Sequence, residues 1–479
     1  MRKTLITCAG LIVLIVAYVA SDLPAALIKP STAAPRIIIT RANILPMTDL
    51  STPEQVIHNQ VIVIEHGVIQ QISTKPPPAN PQDTVIDAKG AFLLPGLIDA
   101  HIHLHDEAEL AGYLAHGITG LRNMSGYPFH LAMAQRISRG ELLAPELMTT
   151  SPILNSHGPN SGINQVLVDD KHQAEQAVEH FYKRGFTSLK IYSNLNKHAM
   201  ESALATANKY NMAVTGHSPE GHREQGIPYQ APFSIPWEAS VGRGFQTLEH
   251  IETVVWHALR DELNTAKLAN VAKALLKGGD VLVPTLIAHR RLVHIAESKG
   301  QYLQQAGSDT INPLLTWFEQ GSIAYWSEMD PAPYERPHAD FFQAATGYLH
   351  SQGVPMLAGS DAGGFGLIPG LSLHEELALL TQSGMTAAEA IASATHLSAQ
   401  RLGMHQQGII AEGVPANIIL IKSDPRHDIT VLQQLEGMVV NGRWLNASDI
   451  RALHSAARDT SWFRSIWRSL QMLWYVHRV

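Results

Sequence analysis

Six side chains of types that bind metal ions follow apolar segments along the sequence. His101 and His103 come first and form a His-x-His pair after the apolar residues 97–100. Alternation along a strand points both imidazoles to the same side, as a shared metal requires. Histidine and carboxylate side chains are the ligands that zinc accepts most readily in proteins. The six candidates are His101, His103, Lys190, His217, His250 and Asp361.

Each of these residues also has an ordinary structural explanation. A His-x-His pair often only completes hydrogen bonds in a core. Lys190 is of a type that usually remains solvated, and Asp361, between Ser360 and Ala362-Gly363, has the composition of a turn. Their joint placement at the ends of successive strand-like segments favours one common site.

The segments that carry these residues alternate with helix-like stretches. Helices are predicted at 171–184, 198–210 and 264–276. Strands alternating with helices predict a parallel sheet, and eight of them predict a (β/α)8 TIM barrel, whose carboxyl ends meet at one mouth. The eight strand-like segments are 92–101, 117–122, 146–153, 187–192, 212–215, 245–248, 281–286 and 355–358.

Short strand-like segments at both ends of the chain surround this long middle part. The pairs His66-Gly67 and Asn441-Gly442 have the composition of tight hairpin turns. We therefore expect a small β-sandwich domain built from residues 36–90 and 409–446, with the barrel occupying residues 91–408. The remaining residues, 447–479, form a separate tail.

The beginning of the chain has the composition of an export signal. Arg2 and Lys3 precede an apolar run at 5–20, which predicts a signal peptide or a membrane anchor over residues 1–21. Residues 22–35 are rich in Ala, Pro and Ser and are typical of a linker. The protein is thus expected to be exported, either periplasmic or anchored facing outside the cytoplasm. The net charge of −7 argues against nucleic acid as a partner.

The tail carries apolar residues at helical spacing, with Arg464 and Arg468 on the other side. This pattern predicts an amphipathic helix. Such a helix packs on the barrel or on a second subunit, which would make the protein a homo-oligomer. Trp and Arg also suit the surface of a membrane, which is the alternative.

Several motifs resemble those of a known group of enzymes. Residues 92–103 read FLLPGLIDAHIH and resemble the opening metal motif of the amidohydrolase superfamily. The resemblance runs from about residue 37 to residue 445. Residues 189–193 (LKIYS) and 215–219 (TGHSP) are most similar to its imidazolonepropionase-like and prolidase-like members.

This resemblance implies a site with two zinc ions. One would be held by His101, His103 and Asp361, the other by His217 and His250. Lys190, carboxylated on its side-chain nitrogen, would bridge the two, because an ammonium group cannot bind a cation whereas a carbamate offers two anionic oxygens. A single-metal site with unmodified Lys190 is the alternative.

The resemblance also implies roles in catalysis. Asp361 would act as general acid and base, His157 would lie near the substrate, and Tyr192 would contact it. The residues before His157 depart from the double glycine usual in the family. The expected activity is hydrolysis of an amide-type C–N bond in a small molecule, such as a dipeptide, an N-acyl amino acid or a cyclic amide. A lactone or ester hydrolase and a non-catalytic metal-binding barrel are the alternatives.

Overall fold

A computed structural model describes residues 10–11, 24–27, 35–222 and 233–479. The predicted signal peptide or anchor (1–21), apart from residues 10 and 11, and most of the linker (22–35) lie outside these ranges. None of the helices in the described ranges combines the length and apolar character needed to cross a bilayer.

Seventeen strands are present in the described chain. They are β1 Arg36–Ile44, β2 Ile57–Glu65, β3 Val68–Ser73, β4 Thr84–Asp87, β5 Phe92–Pro95, β6 Leu97–Ile102, β7 Ile118–Asn123, β8 Glu146–Thr149, β9 Ile153–Asn155, β10 Val166–Leu167, β11 Ser188–Ile191, β12 Ala213–Gly216, β13 Phe245–Glu249, β14 Leu282–Val283, β15 Ile418–Ile421, β16 Leu435–Val440 and β17 Arg443–Asn446.

The α-helices of the same ranges are numbered separately. They are α1 Glu109–Ala115, α2 Pro128–Ser138, α3 Lys171–Lys183, α4 Lys197–Lys209, α5 Ile251–Ala258, α6 Leu268–Gly278, α7 Leu286–Glu297, α8 Pro313–Glu328, α9 Glu335–Ser351, α10 Leu371–Gln382, α11 Ala387–Ser393, α12 His396–Leu402, α13 Ala447–Ala456 and α14 Trp462–Val476.

The strands from the two ends of the chain form one mixed sheet in the order β17-β16-β15-β5-β1-β2-β3, with β4 beside β1. Both predicted hairpin turns are confirmed. His66 and Gly67 join β2 to β3, Asn441 and Gly442 join β16 to β17, and all four residues have positive φ. The expected β-sandwich is not confirmed, because these eight strands belong to a single sheet.

The middle of the chain has parallel sheets in the orders β6-β7-β8 and β10-β9-β11-β12-β13-β14. Backbone hydrogen bonds span the breaks between them. Ser151 N donates to Ser188 O at 2.7 Å, and Leu282 N donates to Pro355 O at 3.0 Å. Asp361 N donates to His101 O at 2.8 Å. The described chain therefore has a TIM-barrel-like arrangement without one continuous sheet.

Four predicted barrel strands differ from the observed ones. The segment 146–153 divides into β8, which pairs with β7, and β9, which pairs with β11. The segment 92–101 divides at Gly96, so that β5 joins the mixed sheet and only β6 joins the barrel. The segment 281–286 stops being a strand after Val283, because Thr285 has a positive φ and α7 begins at Leu286. The segment 355–358 forms only an isolated bridge to β14.

The predicted helices at 171–184, 198–210 and 264–276 correspond to α3, α4 and α6. Capping side chains explain where two of them begin. Asp170 accepts a hydrogen bond from Gln173 N before α3, and Asn196 accepts one from Ala199 N before α4. The tail forms α13 and α14, and α14 packs against α8. The helices α7, α8 and α9, between β14 and residue 355, were not predicted.

Candidate metal centre and active-site cavity

A cavity of about 610 Å³ lies at the carboxyl ends of the parallel strands. His101 lies near the end of β6, Lys190 lies in β11, and His217 and His250 directly follow β12 and β13. The structure brings together seven of the eight site residues predicted from the sequence. They are His101, His103, Lys190, Tyr192, His217, His250 and Asp361.

His101 is held between two carboxylates. Its Nδ1 lies 2.7 Å from Glu249 Oε2, and its Nε2 lies 3.3 Å from Asp361 Oδ1. Burial lowers the pKa of His101 to about 3, so the ring is neutral. The Nδ1 contact is the shorter of the two, so we assign the ring proton to Nδ1, where the Glu249 carboxylate accepts it, and the Nε2 lone pair faces the cavity.

Glu249 is a functional residue that the sequence reasoning missed. Arg122 Nη2 donates to Glu249 Oε1 at 3.0 Å, and Thr215 Oγ1 donates to the same oxygen at 2.7 Å. Burial acts to raise the pKa of Glu249, but Arg122 and His101 hold it well below its usual range. Arg122, buried at the end of a barrel strand, was the available signal, since a buried guanidinium requires an anion.

His103 and Asp361 complete one side of the site. His103 Nε2 lies 3.2 Å from Asp361 Oδ1, the same oxygen that faces His101. Ligand atoms of His101, His250 and Asp361 all lie within 4.8 Å of one another. One cation could therefore contact all three side chains.

His217 and His250 are oriented in the same manner as His101. Thr285 Oγ1 donates to Pro284 O and accepts from His250 Nδ1 at 2.6 Å. His217 Nδ1 lies 3.2 Å from Thr253 Oγ1. Burial lowers the pKa of His250 to about 4 and that of His217 well below its usual value. Both rings are neutral, with Nδ1 engaged.

Lys190 is 1% exposed among these histidines and carboxylates. Burial lowers the pKa of its amine to about 8, despite the nearby charges of Glu249 and Asp361. About a tenth of the amine is thus uncharged at pH 7, far more than for a lysine with the usual pKa of about 10.4. Tyr192, one residue beyond β11, places its ring 4.1 Å from the ring of His217, measured between centroids.

The backbone is strained where two of the candidate ligands are held. His250 has φ 66° and ψ 119°, outside the regions that side-chain-bearing residues normally occupy. Its hydrogen-bond partner Thr285 has φ 48°, and Asp361 has φ 57°. Such strain persists only where the surrounding fold imposes it, and it is common at functional sites.

His157 is the predicted site residue that the structure does not bring to the cavity. Its side chain is 67% exposed, and its Nδ1 lies 2.6 Å from Asp169 Oδ2. It is absent from the described residues that line the cavity. The expected position near the substrate is therefore not observed, because Asp169 holds the ring toward solvent.

The outer wall of the cavity comes from helices far from the strand ends. Phe318 and Glu319 of α8 and Arg468 and Met472 of α14 line it. The predicted tail helix thus packs on the barrel rather than standing apart. A buried ion pair fixes it, with Arg464 Nη2 2.7 Å from Asp106 Oδ1. Arg468 forms a second ion pair with Glu107.

The model of the amidohydrolase family matches residues 92–445 of this chain. No curated protein matches the sequence at a significant level. Among solved structures, a bottromycin amidohydrolase is similar over 92% of this chain and 93% of its own, with 22% identity and a TM-score of 0.70.

Two further structures share the fold. A Xaa-Pro dipeptidase with bound methionine is similar over 86% of this chain and 100% of its own, at 18% identity and a TM-score of 0.63. An A. niger ochratoxinase is similar over 86% and 96%, at 18% identity and a TM-score of 0.58. The family match covers well over half of the chain and includes the six candidate metal ligands, from His101 to Asp361. The chain belongs to the amidohydrolase family and is a hydrolase acting on carbon–nitrogen bonds.

Proposed function

We propose that this protein is a metal-dependent hydrolase that cleaves an amide-type C–N bond in a small molecule. One observation carries the proposal. Three buried histidines, His101, His217 and His250, have Nδ1 engaged by a carboxylate or a hydroxyl, which leaves Nε2 as the available ligand atom in each ring. Orienting partners of this kind are typical of metal-ligating histidines.

The donor set fits zinc, with nitrogen and carboxylate oxygen ligands. We infer two ions, one held by His101, His103 and Asp361 and the other by His217 and His250. Lys190 would bridge them as a carbamate. The lowered pKa of its amine supports this assignment, because only the uncharged amine can react with carbon dioxide. Zinc at these residues would supply Lewis-acid activation of both water and the scissile carbonyl.

The side chains of this chain would then position the proton and the substrate. Asp361 lies at the centre of the site, where its carboxylate can accept a proton from the attacking water and pass it to the leaving nitrogen. Tyr192 lines the same cavity beside His217 and is placed to contact the substrate.

Small amides are the proposed substrates: dipeptides, N-acyl amino acids or cyclic amides. The cavity of about 610 Å³ lies within the range of small-molecule sites. The structural neighbours include a dipeptidase and a bottromycin amidohydrolase, whose names refer to amide cleavage. We also propose that the chain is exported, on the basis of Arg2, Lys3 and the apolar run that follows them.

The test is a metal analysis followed by a substrate screen. We expect about two zinc equivalents per chain, and turnover of at least one compound among dipeptides, N-acyl amino acids and cyclic amides. Lactones in the same screen distinguish ester hydrolysis. Less than one equivalent of tightly bound metal, or no turnover by zinc-loaded protein, would favour a non-catalytic barrel.

Lys190→Ala tests the bridge. The variant should lose about one metal equivalent and most of its activity, because the two anionic oxygens of the carbamate are gone. Lys209→Ala, at an exposed position at the end of α4, is the control. Two equivalents retained in Lys190→Ala would rule out the lysine bridge. One equivalent in both proteins would indicate a single-metal site with an unmodified lysine.

A further inference from the structure

A second, smaller depression of about 360 Å³ lies between α2 and α14, and we call it the α2–α14 groove. Among the described residues that line the groove, Gln471 carries an amide and none is charged. Most of the surface is aromatic or aliphatic. The walls come from Pro128 and Phe129 of α2 and from Trp467, Leu470, Trp474 and Tyr475 of α14.

The α2–α14 groove adjoins the active-site cavity. Phe129 lines both. Different faces of α14 line the cavity and the groove. Arg468 and Met472 line the cavity, whereas Trp467 and Leu470 line the groove. A molecule bound near His103 and reaching past Phe129 would therefore pass directly onto the apolar surface of α14.

Two ion pairs anchor α14 to the segment before α1. Arg464 pairs with Asp106, and Arg468 pairs with Glu107. The Arg468 guanidinium also lies 4.8 Å from the centre of the Phe129 ring. Arg468 thus connects α14 both to the segment before α1 and to Phe129 of α2.

The apolar walls of the groove remain accessible to solvent. Leu470 is 53% exposed and Trp474 is 55% exposed, while Tyr475 forms a floor that is 2% exposed. Apolar surface next to a cavity for small molecules commonly marks a binding region. An unbranched hydrocarbon chain matches this lining, because it needs no polar partner and gains from each methylene removed from water.

We propose that the α2–α14 groove binds the apolar tail of the substrate, so that the preferred substrates are amides whose acyl group carries a hydrocarbon chain. The inference rests on the proposed function, because the scissile bond must lie at the candidate metal centre. The head of the substrate then occupies the cavity, and the tail extends past Phe129 along Trp467, Leu470 and Trp474.

The experiment measures kcat/KM for one N-acyl amino acid series, from acetyl to dodecanoyl, with zinc-loaded full-length protein. Transfer of a methylene from water predicts an increase of roughly two- to fourfold per added methylene until the groove is filled. Leu470→Ser and Trp474→Ser should flatten this dependence. Phe463→Ser is the matched control, because Phe463 is 62% exposed on the same helix and lies outside the groove.

Turnover of the acetyl compound without any increase along the series would overturn the tail site and leave the proposed function intact. Equal slopes in Leu470→Ser and Phe463→Ser would also overturn it. Flat slopes combined with quenching of wild-type tryptophan fluorescence by brominated phosphatidylcholine vesicles would assign the surface to a bilayer instead. Flat slopes combined with self-association that Leu470→Ser abolishes would assign it to a second copy of the chain.

If no member of the series is hydrolysed, N-acyl amino acids are excluded as substrates and binding in the groove is measured separately. The proposed function fails only if dipeptides and cyclic amides are not hydrolysed either. Isothermal titration with monomeric dodecanol tests it without chemistry. Binding that Trp474→Ser weakens at least tenfold, and that Phe463→Ser leaves unchanged, supports the tail site. Absence of dodecanol binding to the wild-type protein overturns it.

Discussion

Glu249 connects the charge of a buried arginine to the metal centre. It receives Arg122 on one oxygen and the Nδ1–H of His101 on the other. The anion thereby fixes the tautomer of His101 and makes its Nε2 a stronger donor to a metal. Its contribution to activity passes through His101, so we regard it as a positioning residue.

Glu249→Gln should weaken metal binding roughly 10- to 100-fold, the range typical for loss of a residue that orients a ligand. The amide keeps the shape of the side chain but leaves Arg122 buried beside a neutral group, so stability should fall as well. A zinc titration against a competing chelator measures the affinity. Glu319→Gln, which removes another cavity carboxylate, is the control and should retain the wild-type affinity.

For single residues, the sequence predicted which candidate ligands lie together in the fold but not which side chains orient their rings. His101, His103, His217 and His250 could be placed at strand ends by pattern alone. The partners Glu249, Thr253 and Thr285 could not, because each is recognised only by contact across the fold. His157 was misplaced for the converse reason, since Asp169, twelve residues further along, competes for its ring.

Among the elements, α14 has two different faces. One is held to the barrel by Arg464 and Arg468, and the other exposes Trp462, Phe463 and Leu470. The amphipathic pattern of the tail predicted the helix correctly. It could not predict that Arg464 and Arg468 face the barrel. Their partners Asp106 and Glu107, just before α1, are far away in sequence and meet them only in the fold.

Asp106→Asn should destabilise the protein by about 3–5 kcal/mol, because it leaves Arg464 buried without its anion. The loss should concentrate in α14, where hydrogen exchange over residues 462–476 reports it. Asp309→Asn breaks the exposed Arg458–Asp309 pair, whose side chains are 50% and 59% exposed. That change should cost less than about 1 kcal/mol. Equal effects of the two substitutions would contradict the role of the buried Arg464–Asp106 pair in anchoring α14.

For the whole molecule, the pH dependence of stability follows from buried groups outside the proposed metal ligands. Six histidines, four buried and two half-buried, have pKa values lowered by desolvation to about 3 or 4, so in the folded state they stay neutral while the unfolded chain binds protons below about pH 6.5. Stability is therefore lost as the pH falls from about 6.5 toward 4. The six are His105, His116, His130, His257, His289 and His374.

Buried carboxyl groups act in the opposite direction. Burial raises the pKa of Asp99 and Glu319 to about 7 and that of Glu109 and Glu376 to about 8. The folded state keeps these protons in a range where the unfolded chain has released them. Stability from these four groups is complete below their unfolded pKa values and declines as the pH rises toward 8.

Together the two sets predict a stability maximum between roughly pH 6 and 7, with losses on both sides. Urea unfolding of the metal-free protein from pH 5 to pH 9 measures it. Glu376→Gln removes one raised carboxyl, so stability should fall less steeply on the alkaline side and rise more steeply on the acid side. A stability that changes in one direction across the whole range would contradict this balance.

The TIM-barrel-like arrangement as a whole was predictable because hydrophobic period and strand-end chemistry agreed over most of the barrel segments. The single terminal sheet was not, because alternation along β1 and β2 marks a strand but not how many sheets the strands form. The helices α7 to α9 were also missed, although α8 supplies Phe318 and Glu319 to the cavity wall.

The strained backbone at His250 implies a conflict between thermal stability and the proposed catalysis. His250→Gly removes a proposed metal ligand and relieves a conformation that costs about 1–3 kcal/mol, against about 1 kcal/mol of added chain entropy. His103→Gly adds the same conformational entropy to the unfolded chain but relieves no backbone strain, because His103 has no positive φ. In metal-free protein, His250→Gly should therefore unfold at the higher temperature of the two by calorimetry, and the reverse order would contradict the strain. Selection for thermal stability alone would therefore favour inactive variants at position 250. The substitution that relieves the backbone strain there also removes a proposed metal ligand.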